Sequence, residues 1–269
     1  MASLITNGQD TARLIESKPF VLGQINEIQS KILAEKRVLN IYLPVGYNQN
    51  DTIKYSVIYL LDGSADEDFI HIAGLVQFST FPWVNTLPKS ILVGIANVDR
   101  RRDFTFPTTI EQDKKNYPTT GGSANFITFI ENELQPFIEK NYKTDSVKTI
   151  IGESLGGLLA TEILLKKPRL FTNYIIVSPS LWWDKESLLT KQPVVVNKDF
   201  AQPTFIYLAV GNEGDTMIND MWKLAAIFKK GNQIFLHVNA EYLSKEDHGT
   251  ILHQAVYDAI QIFNKERIK

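Results

Sequence analysis

Residues 147–168, VKTIIGESLGGLLATEILLKKP, change character at Gly152. The residues before it are apolar and mostly β-branched, as in a strand buried in a parallel sheet. After Ser154, apolar residues recur with the spacing of a helix that has one polar side. Ser154, with Gly152 and Gly156 two residues away on either side, therefore lies at a predicted strand-to-helix turn, which favours an α/β fold.

Two interpretations of Ser154 compete. The simpler one is a serine that caps a helix, with glycines that permit a tight turn. In the alternative, the nucleophile elbow G-x-S-x-G, the serine sits in a strained turn and the glycines let neighbouring backbone approach. The helix N-terminus also offers a positive dipole end and the amide of Leu155, half of an oxyanion hole. The position between strand and helix favours the nucleophile.

Length and composition predict the class of protein. The chain has 269 residues, 44% of them hydrophobic, and a net charge of −2. These values predict an N-terminal extension over 1–20 and one α/β catalytic domain over 21–269. There is no basic excess for nucleic acid or anionic membrane and no apolar run of membrane-spanning length, so we expect a small-molecule partner. Without cysteine, disulfides and thiolate metal sites are excluded. The oligomeric state stays open.

The first twenty residues do not have the pattern of a targeting signal. They contain Arg13, Glu16 and Lys18 and no continuous apolar segment, so no signal peptide is visible. The sequence as written predicts a soluble, cytoplasmic protein. A leader that had been removed would instead predict a periplasmic or secreted one.

The order of predicted elements defines the architecture. Strand patterns lie near residues 21–33, 36–43, 55–61, 90–97, 147–151, 172–178, 203–210 and 233–239. Helical patterns lie near residues 67–79, 124–140, 155–167, 216–230 and 250–265. Two early strands followed by alternation predict an antiparallel edge leading into a doubly wound, mostly parallel sheet of about eight strands, with helices on both faces. Functional residues then belong at the C-terminal ends of the strands.

A serine hydroxyl needs a base to take its proton, so the histidines are informative. His248 lies in the polar loop SKEDHGT between the last strand and the last helix, where hydrolases place the base. His71, His237 and His253 are explained as helix-surface, strand or packing residues. His248 and His253 are five residues apart and do not match the i, i+4 spacing of a helical zinc site, so no metal is predicted.

The base in turn needs a carboxylate. Glu213 and Asp215 follow the strand TFIYLAV in the turn GNEGD, and glycines on both sides of Glu213 favour it as the acid. Asp184 is a third candidate, and solvated loop carboxylates remain an alternative for all three. The second oxyanion donor is expected after the third strand, where the turn Asp62-Gly63 precedes the amide of Ser64.

With these motifs in place, the chain resembles the esterase D-like family of α/β-hydrolases, which includes siderophore esterases, feruloyl esterases and mycolyltransferases. The likeness covers roughly residues 20–265. It rests on YLLDG (59–63), NVDRRRDFTFP (97–107), GGSANFITFIENELQPFIEKNY (121–142), GESLGG (152–157), SPSLWWD (178–184), VGNEGD (210–215) and DHG (247–249).

The resemblance implies an α/β-hydrolase fold and a serine carboxylic ester hydrolase that needs no cofactor. Its triad would be Ser154, His248 and Glu213, with the amides of Leu155 and Ser64 as oxyanion hole. The nearest branches imply a trilactone siderophore or an aryl (feruloyl-type) ester as substrate. An acyltransferase and a non-catalytic binding protein on a hydrolase scaffold are the alternatives.

Further residues are candidates for substrate contact. Trp182 and Trp183 follow a strand end and could line an acyl or aryl pocket, although burial of both explains them equally well. Arg100 and Arg102 belong to an arginine-rich turn that either pairs with Asp103 or meets an anionic substrate. Asp184 lies next to the tryptophans and is the last candidate for substrate binding.

Overall fold

A computed structural model describes residues 12–50, 52–197, 199–232 and 234–267 of the chain. Within these residues one sheet has eight strands, in the order β1-β2-β4-β3-β5-β6-β7-β8. The pairs β1–β2 and β2–β4 are antiparallel, and the other five pairs are parallel. The strands are β1 Gln24–Gln29, β2 Lys36–Tyr42, β3 Tyr55–Leu60, β4 Ser90–Ile95, β5 Thr144–Glu153, β6 Asn173–Val177, β7 Thr204–Gly211 and β8 Leu236–Leu243. The predicted mostly parallel sheet is confirmed.

The helices follow the predicted alternation, with additional short ones. The longer helices are α1 Phe69–Ser79, α6 Leu155–Lys166, α8 Asp215–Phe228 and α9 Ile251–Arg267. The shorter ones are α2 Arg100–Phe104, α3 Glu111–Asn116, α4 Ser123–Phe129, α5 Gln135–Asn141 and the single turn α7 Trp183–Glu186. The segment Ile130–Leu134 joins α4 to α5 as a π-helical turn, so the helix predicted over 124–140 is one helical segment with a local change of winding.

Helices cover both faces of the sheet. Apolar side chains of α1 and α9 pack on one face, together with Ile58, Leu60 and Ile151 of the central strands. Side chains of α4, α5, α6 and α8 pack on the other face against residues such as Tyr59 and Ile150. Every residue of β3 is buried, as the continuous apolar run predicts for a central parallel strand. The predicted helices on both faces are confirmed.

The two ends of the sheet differ from the sequence prediction in detail. The predicted extension over 1–20 falls partly on residues 1–11, which lie outside the described residues, and residues 12–23 precede β1 without regular secondary structure. The last strand, predicted near 233–239, runs from Leu236 to Leu243. It begins late because the amides of Phe235 and Leu236 both donate to the Asn232 carbonyl in a turn.

A buried ion-pair network fixes α2 against the sheet. Arg37 of β2 is fully buried and donates to Asp103 Oδ2 at 2.7 Å and to Glu35 Oε1 at 2.9 Å. Arg102 donates to Asp103 Oδ1 and to Glu35 at 2.8 and 2.6 Å. A buried charge is tolerated when it is paired in this way, so the network holds the start of the 100–122 segment in one position. Among the described residues, no helix is long and apolar enough to cross a membrane.

Candidate active site

The turn at Ser154 has the strained backbone that an elbow requires. β5 ends at Glu153, α6 begins at Leu155, and Ser154 between them has φ 57° and ψ −118°. A Cβ atom at Gly152 would lie 2.4 Å from the Gly156 carbonyl oxygen, so only glycine fits there. A Cβ at Gly156 would make ordinary contacts, the nearest at 3.4 Å. Gly152 therefore carries the steric requirement at this turn.

The end of β6 supports the Ser154 turn from the side. The Ser154 amide donates to the Val177 carbonyl at 3.1 Å, and the Ser180 amide donates to the Ser154 carbonyl at 3.0 Å. The hydroxyl of Ser180 lies 3.3 Å from that of Ser154. Sequence reasoning missed Ser180, although its place in SPSLWWD, directly after a parallel strand, could have drawn attention to it.

Glu213 and His248 form a hydrogen-bonded pair next to this turn. His248 Nδ1 lies 2.5 Å from Glu213 Oε2. An ionised carboxylate only accepts hydrogen bonds, so the proton between them belongs to Nδ1 and the neutral ring can accept at Nε2. Glu213 lies in the turn between β7 and α8, and His248 lies between β8 and α9, both at the C-terminal edge of the parallel strands.

The other oxygen of Glu213 is held by two donors. Oε1 accepts from the hydroxyl of Ser178 and from the Gly211 amide, the latter at 3.0 Å. Burial tends to raise the pKa of Glu213, but the bonds from His248, Ser178 and Gly211 prevail and the pKa is lowered. Glu213 is therefore anionic and fixed in direction. Ser178 was also missed by sequence reasoning.

His248 has one side against Glu213 and one side open. Its side chain is 49% exposed, whereas that of Glu213 is 5% exposed. The hydrogen bond that His248 donates to Glu213 raises the pKa of His248 above its ordinary value of 6.5, against the opposing effect of partial burial. Within the described residues, Ser154 and His248 line two of the same clefts without a direct hydrogen bond between their side chains.

Three clefts meet at Ser154. The first, of about 490 Å³, is lined by Ser154, Ser180, Trp182, Asn212, Glu213, Met217, Asp247, His248 and Gly249. The second, of about 250 Å³, is lined by Arg100, Arg101, Thr105, Tyr117, Thr120, Ser154, Leu155, Ser180, Trp182 and Trp183. The third, of about 410 Å³, is lined by Asp62, Glu67, Asp68, Arg100, Glu153, Ser154 and His248. We call them the histidine cleft, the aromatic cleft and the acidic cleft.

The acidic cleft carries charges close to His248. Arg100 makes a bidentate pair with Asp62, at 2.6 and 2.8 Å. Burial, and then the neighbouring carboxylates of Asp68, Glu213 and Asp62, raise the pKa of Glu153 to about 7, against the opposing charge of His248. In this cleft the Arg100 guanidinium is thus paired with Asp62, and His248 adds a second positive charge when it is protonated.

The predicted substrate residues divide into two groups. Arg100, Trp182 and Trp183 line the aromatic cleft, with Trp182 39% exposed and Trp183 2% exposed. Arg102 and Asp184 line none of the three clefts. Arg102 is engaged by Glu35 and Asp103, so the structure assigns it to the ion-pair network rather than to the cleft.

Asp184 is placed away from His248 and cannot serve as its partner in this arrangement. Its Oδ1 atom accepts from the Thr109 amide at 2.6 Å, from the Thr109 hydroxyl at 2.8 Å and from the Thr108 hydroxyl at 3.1 Å. Asp215, the other candidate acid, is exposed at the first position of α8. Of the three carboxylates considered, only Glu213 contacts His248.

The two predicted oxyanion donors, the amides of Leu155 and Ser64, lie in the turn at Ser154 and in the turn after β3. Leu155 lines the aromatic cleft with Ser154. The Gly63 amide donates to the Ile95 carbonyl at 3.0 Å and is therefore not free to bind an oxyanion. The next amide in the chain is that of Ser64. In the described residues the amides of Leu155 and Ser64 have no protein acceptor. Both stay available as predicted donors.

The remaining histidines lie away from the clefts. His71 of α1 and His253 of α9 contact each other, with ring centroids 5.1 Å apart on the outside of the helices. His237 of β8 stacks on Phe205 at 4.6 Å. These positions agree with the interpretation of the three as surface or packing residues. No group of three or more metal-binding side chains is present in the part of the chain that the structure describes.

Comparison with known proteins identifies the family. A family model described as "Putative esterase" matches residues 30–256. The chain belongs to this esterase family. The resemblance that the sequence motifs imply is therefore confirmed over most of the described chain.

Individual relatives agree with the family. Ferri-bacillibactin esterase BesA of Bacillus subtilis is 35% identical over 192 residues, which are 66% of this chain and 66% of BesA, just under two thirds of that relative. An IroE-like serine hydrolase from Shewanella oneidensis is 32% identical with a TM-score of 0.80, covering 90% of this chain and 80% of that one. The BES protein from Bacillus cereus is 28% identical with a TM-score of 0.80, covering 93% and 98%. The predicted α/β-hydrolase fold is confirmed.

Proposed function

We propose that this esterase-family chain is a serine carboxylic ester hydrolase in which Ser154, His248 and Glu213 form the catalytic triad. The observation that carries the proposal is the pair of His248 and an anionic, firmly held Glu213 beside a serine in a strained strand-to-helix turn. Each part has the chemistry that its role needs: a hydroxyl nucleophile, a base with a free Nε2, and a carboxylate that supports the imidazolium.

The reaction follows from these positions. Ser154 Oγ attacks the ester carbonyl carbon while its proton passes to His248 Nε2, and the carbonyl oxygen becomes an oxyanion. The amides of Leu155 and Ser64 are proposed to donate to it. His248 then gives its proton to the leaving alkoxide, which departs as an alcohol and leaves an acyl-serine. Water, deprotonated by His248, attacks the acyl carbon and restores Ser154 with release of the acid.

The alcohol part and the acyl part of the ester are proposed to bind in different clefts. His248 must reach the leaving oxygen, so the alcohol part lies in the histidine cleft or the acidic cleft, which both contain His248. The acyl part then lies on the Leu155 side, in the aromatic cleft. Exposed Trp182 and the guanidinium of Arg101 suit a planar acyl group with electron-rich oxygens, whereas Arg100 at the same cleft is paired with Asp62.

The substrate class is drawn from a relative together with this cleft. BesA is named as an esterase of ferri-bacillibactin. An aromatic, cationic acyl cleft beside open clefts for a large alcohol fits a siderophore ester of that kind. We therefore propose a trilactone siderophore as substrate, with feruloyl-type aryl esters as the less supported alternative.

The test compares the parent with Ser154→Ala on three substrates: a trilactone siderophore, a feruloyl ester and a short-chain acyl ester. Triad members act as one unit, so kcat should fall about 10³-fold or more while the circular dichroism spectrum is unchanged. In the parent, an activated aryl ester should give a burst of alcohol equal to the enzyme concentration whenever deacylation is the slow step. Activity of Ser154→Ala within tenfold of the parent would remove the serine from the mechanism.

A further inference from the structure

The turn that carries the two tryptophans has an unusual backbone. Asp184, Lys185 and Glu186 follow one another with φ values of 51°, 53° and 60°. Single non-glycine residues adopt such left-handed conformations occasionally, but three in succession need compensating contacts, because each conflicts with its own Cβ. The contacts of this turn therefore indicate what holds it in place.

Asp184 makes hydrogen bonds that join this turn to the segment before α3. It is 7% exposed, and its Oδ1 atom accepts the three bonds from Thr108 and Thr109. A fourth bond runs between the same two segments, from the Trp183 indole Nε1 to the Phe106 carbonyl at 2.9 Å. The loop at 105–110 is thereby tied to the turn at 182–186.

Residues of both segments line the aromatic cleft. Trp182 and Trp183 come from the turn at 182–186, Thr105 begins the tied loop, and Arg100 and Arg101 lie in α2 just before it. Arg101 also stacks over Tyr117, with its guanidinium carbon 5.0 Å from the ring centroid.

We propose that Asp184 is a positioning residue that sets the width of the acyl cleft by joining the 105–110 loop to the tryptophan turn. This inference rests on the proposed function only in naming the cleft as the acyl site. Asp184 touches neither Ser154 nor His248, so its loss should change substrate binding and leave the chemistry intact. An acyl group large enough to touch both the 105–110 loop and the tryptophan turn should be affected more than acetyl.

Two substitutions at Asp184 separate the carboxylate from the backbone. Asp184→Asn keeps an acceptor oxygen and a residue type that tolerates left-handed backbone. Asp184→Gly tolerates that backbone even better but has no acceptor. If the bridge matters, asparagine should restore the parent's behaviour and glycine should not. If only backbone conformation matters, glycine should behave like the parent.

The kinetic assay uses p-nitrophenyl acetate and p-nitrophenyl benzoate, which share a leaving group and differ in the acyl group. For Asp184→Gly, KM for the benzoate should rise about tenfold with kcat within about threefold, and KM for the acetate should stay near the parent's. The matched control is Asp145→Asn, near the N-terminal end of β5 and thus at the opposite end of that strand from Ser154. Asp145 also accepts from a hydroxyl, that of Ser56 at 3.1 Å, and from an amide, that of Val147 at 2.7 Å.

A second readout does not depend on activity. In a background with Trp83→Phe and Trp222→Phe, the remaining indoles are the exposed Trp182 and the buried Trp183. Acrylamide quenching should rise by up to about twofold in Asp184→Gly, because loosening the turn gives the quencher access to Trp183. Asp184→Asn in the same background should match the parent.

The outcomes are distinct. A parent that hydrolyses neither ester contradicts the proposed function, and the quenching comparison then decides the Asp184 proposal alone. Equal quenching in the glycine and asparagine variants, or equal KM changes for both esters, overturns the proposal. If Asp184→Gly does not fold, Thr109→Val removes one donor without changing shape and should raise KM for the benzoate about threefold; an unchanged KM there would also overturn it.

Discussion

Replacing Glu213 by glutamine removes the charge of the proposed acid while keeping its shape. The donors from Ser178 and Gly211 face Oε1, so the amide oxygen of glutamine should stay on that side. The NH2 group then faces His248 Nδ1, 2.5 Å away in the parent pair. Because NH2 only donates, Nδ1 must accept and the ring proton moves to Nε2. A ring protonated at Nε2 cannot take the proton of Ser154.

The size of the effect follows from two losses. The carboxylate no longer supports the imidazolium, and charged hydrogen bonds of this kind contribute about 1.5–3 kcal/mol. The wrong tautomer adds to this, so kcat should fall about 10²- to 10⁴-fold, equivalent to roughly 2.7–5.4 kcal/mol. The hydrogen bond that His248 donates to Glu213 is the main cause that raises the pKa of His248, so in the variant the midpoint of the pH–rate profile should move down.

The assay is kcat and kcat/KM for an aryl ester from pH 5 to 9 for Glu213→Gln, with Asp215→Asn and Asp184→Asn as controls. In the parent the activity should rise with pH, with a midpoint above 6.5, as His248 loses its proton. A nearly normal Glu213→Gln beside a large loss in Asp215→Asn or Asp184→Asn would refute the reasoning. Three mild variants would point to a dyad of Ser154 and His248.

Three further predictions concern residues around the site. His248→Ala should lose about 10³-fold or more in kcat, whereas His253→Ala should change only stability; a dead His253→Ala beside an active His248→Ala would reverse the roles. Ser178→Ala removes a donor to the proposed catalytic carboxylate of Glu213 and should lower kcat about tenfold in steady-state assays, with parental activity counting against its role. Gly152→Ala should lower Tm because its Cβ would lie 2.4 Å from a carbonyl oxygen, whereas Gly74→Ala, with nothing within 4 Å, should raise stability by up to about 1 kcal/mol. A calorimetric scan that ranked these two the other way would contradict this steric reasoning.

The parts of the fold that are predictable from sequence depend on local patterns. The strand before Gly152 and the helix after Ser154 have apolar periodicities that a short window reveals, and both were placed correctly. Glycines around Glu213 and the polar loop of His248 are likewise local signals. Because C-terminal ends of parallel strands share one edge, the sequence order alone was enough to expect these residues in one place.

What could not be predicted depends on contacts distant in sequence. Arg102 was a candidate for substrate binding because an arginine-rich turn does not reveal its partners, and Glu35 lies 67 residues away. Asp184 was a candidate acid or substrate contact, but its donors in Thr108 and Thr109 lie more than 70 residues earlier. Ser178 and Ser180 were missed because serine after a strand is common and only the folded chain places these two beside Glu213 and Ser154.

The half-exposed ring of His248 bears on the fate of the acylated enzyme. Once the alcohol has left, the exposed side of the ring faces the histidine cleft, about 490 Å³ in volume, while the opposite edge of the ring lies against Glu213. Water can therefore reach the base without any rearrangement, whereas a second alcohol must first be bound and oriented. We therefore expect the proposed acyl-enzyme to turn over by hydrolysis rather than by acyl exchange. Narrowing this entrance with larger side chains at Asn212 or Gly249 offers a route to convert the hydrolase into a transferase.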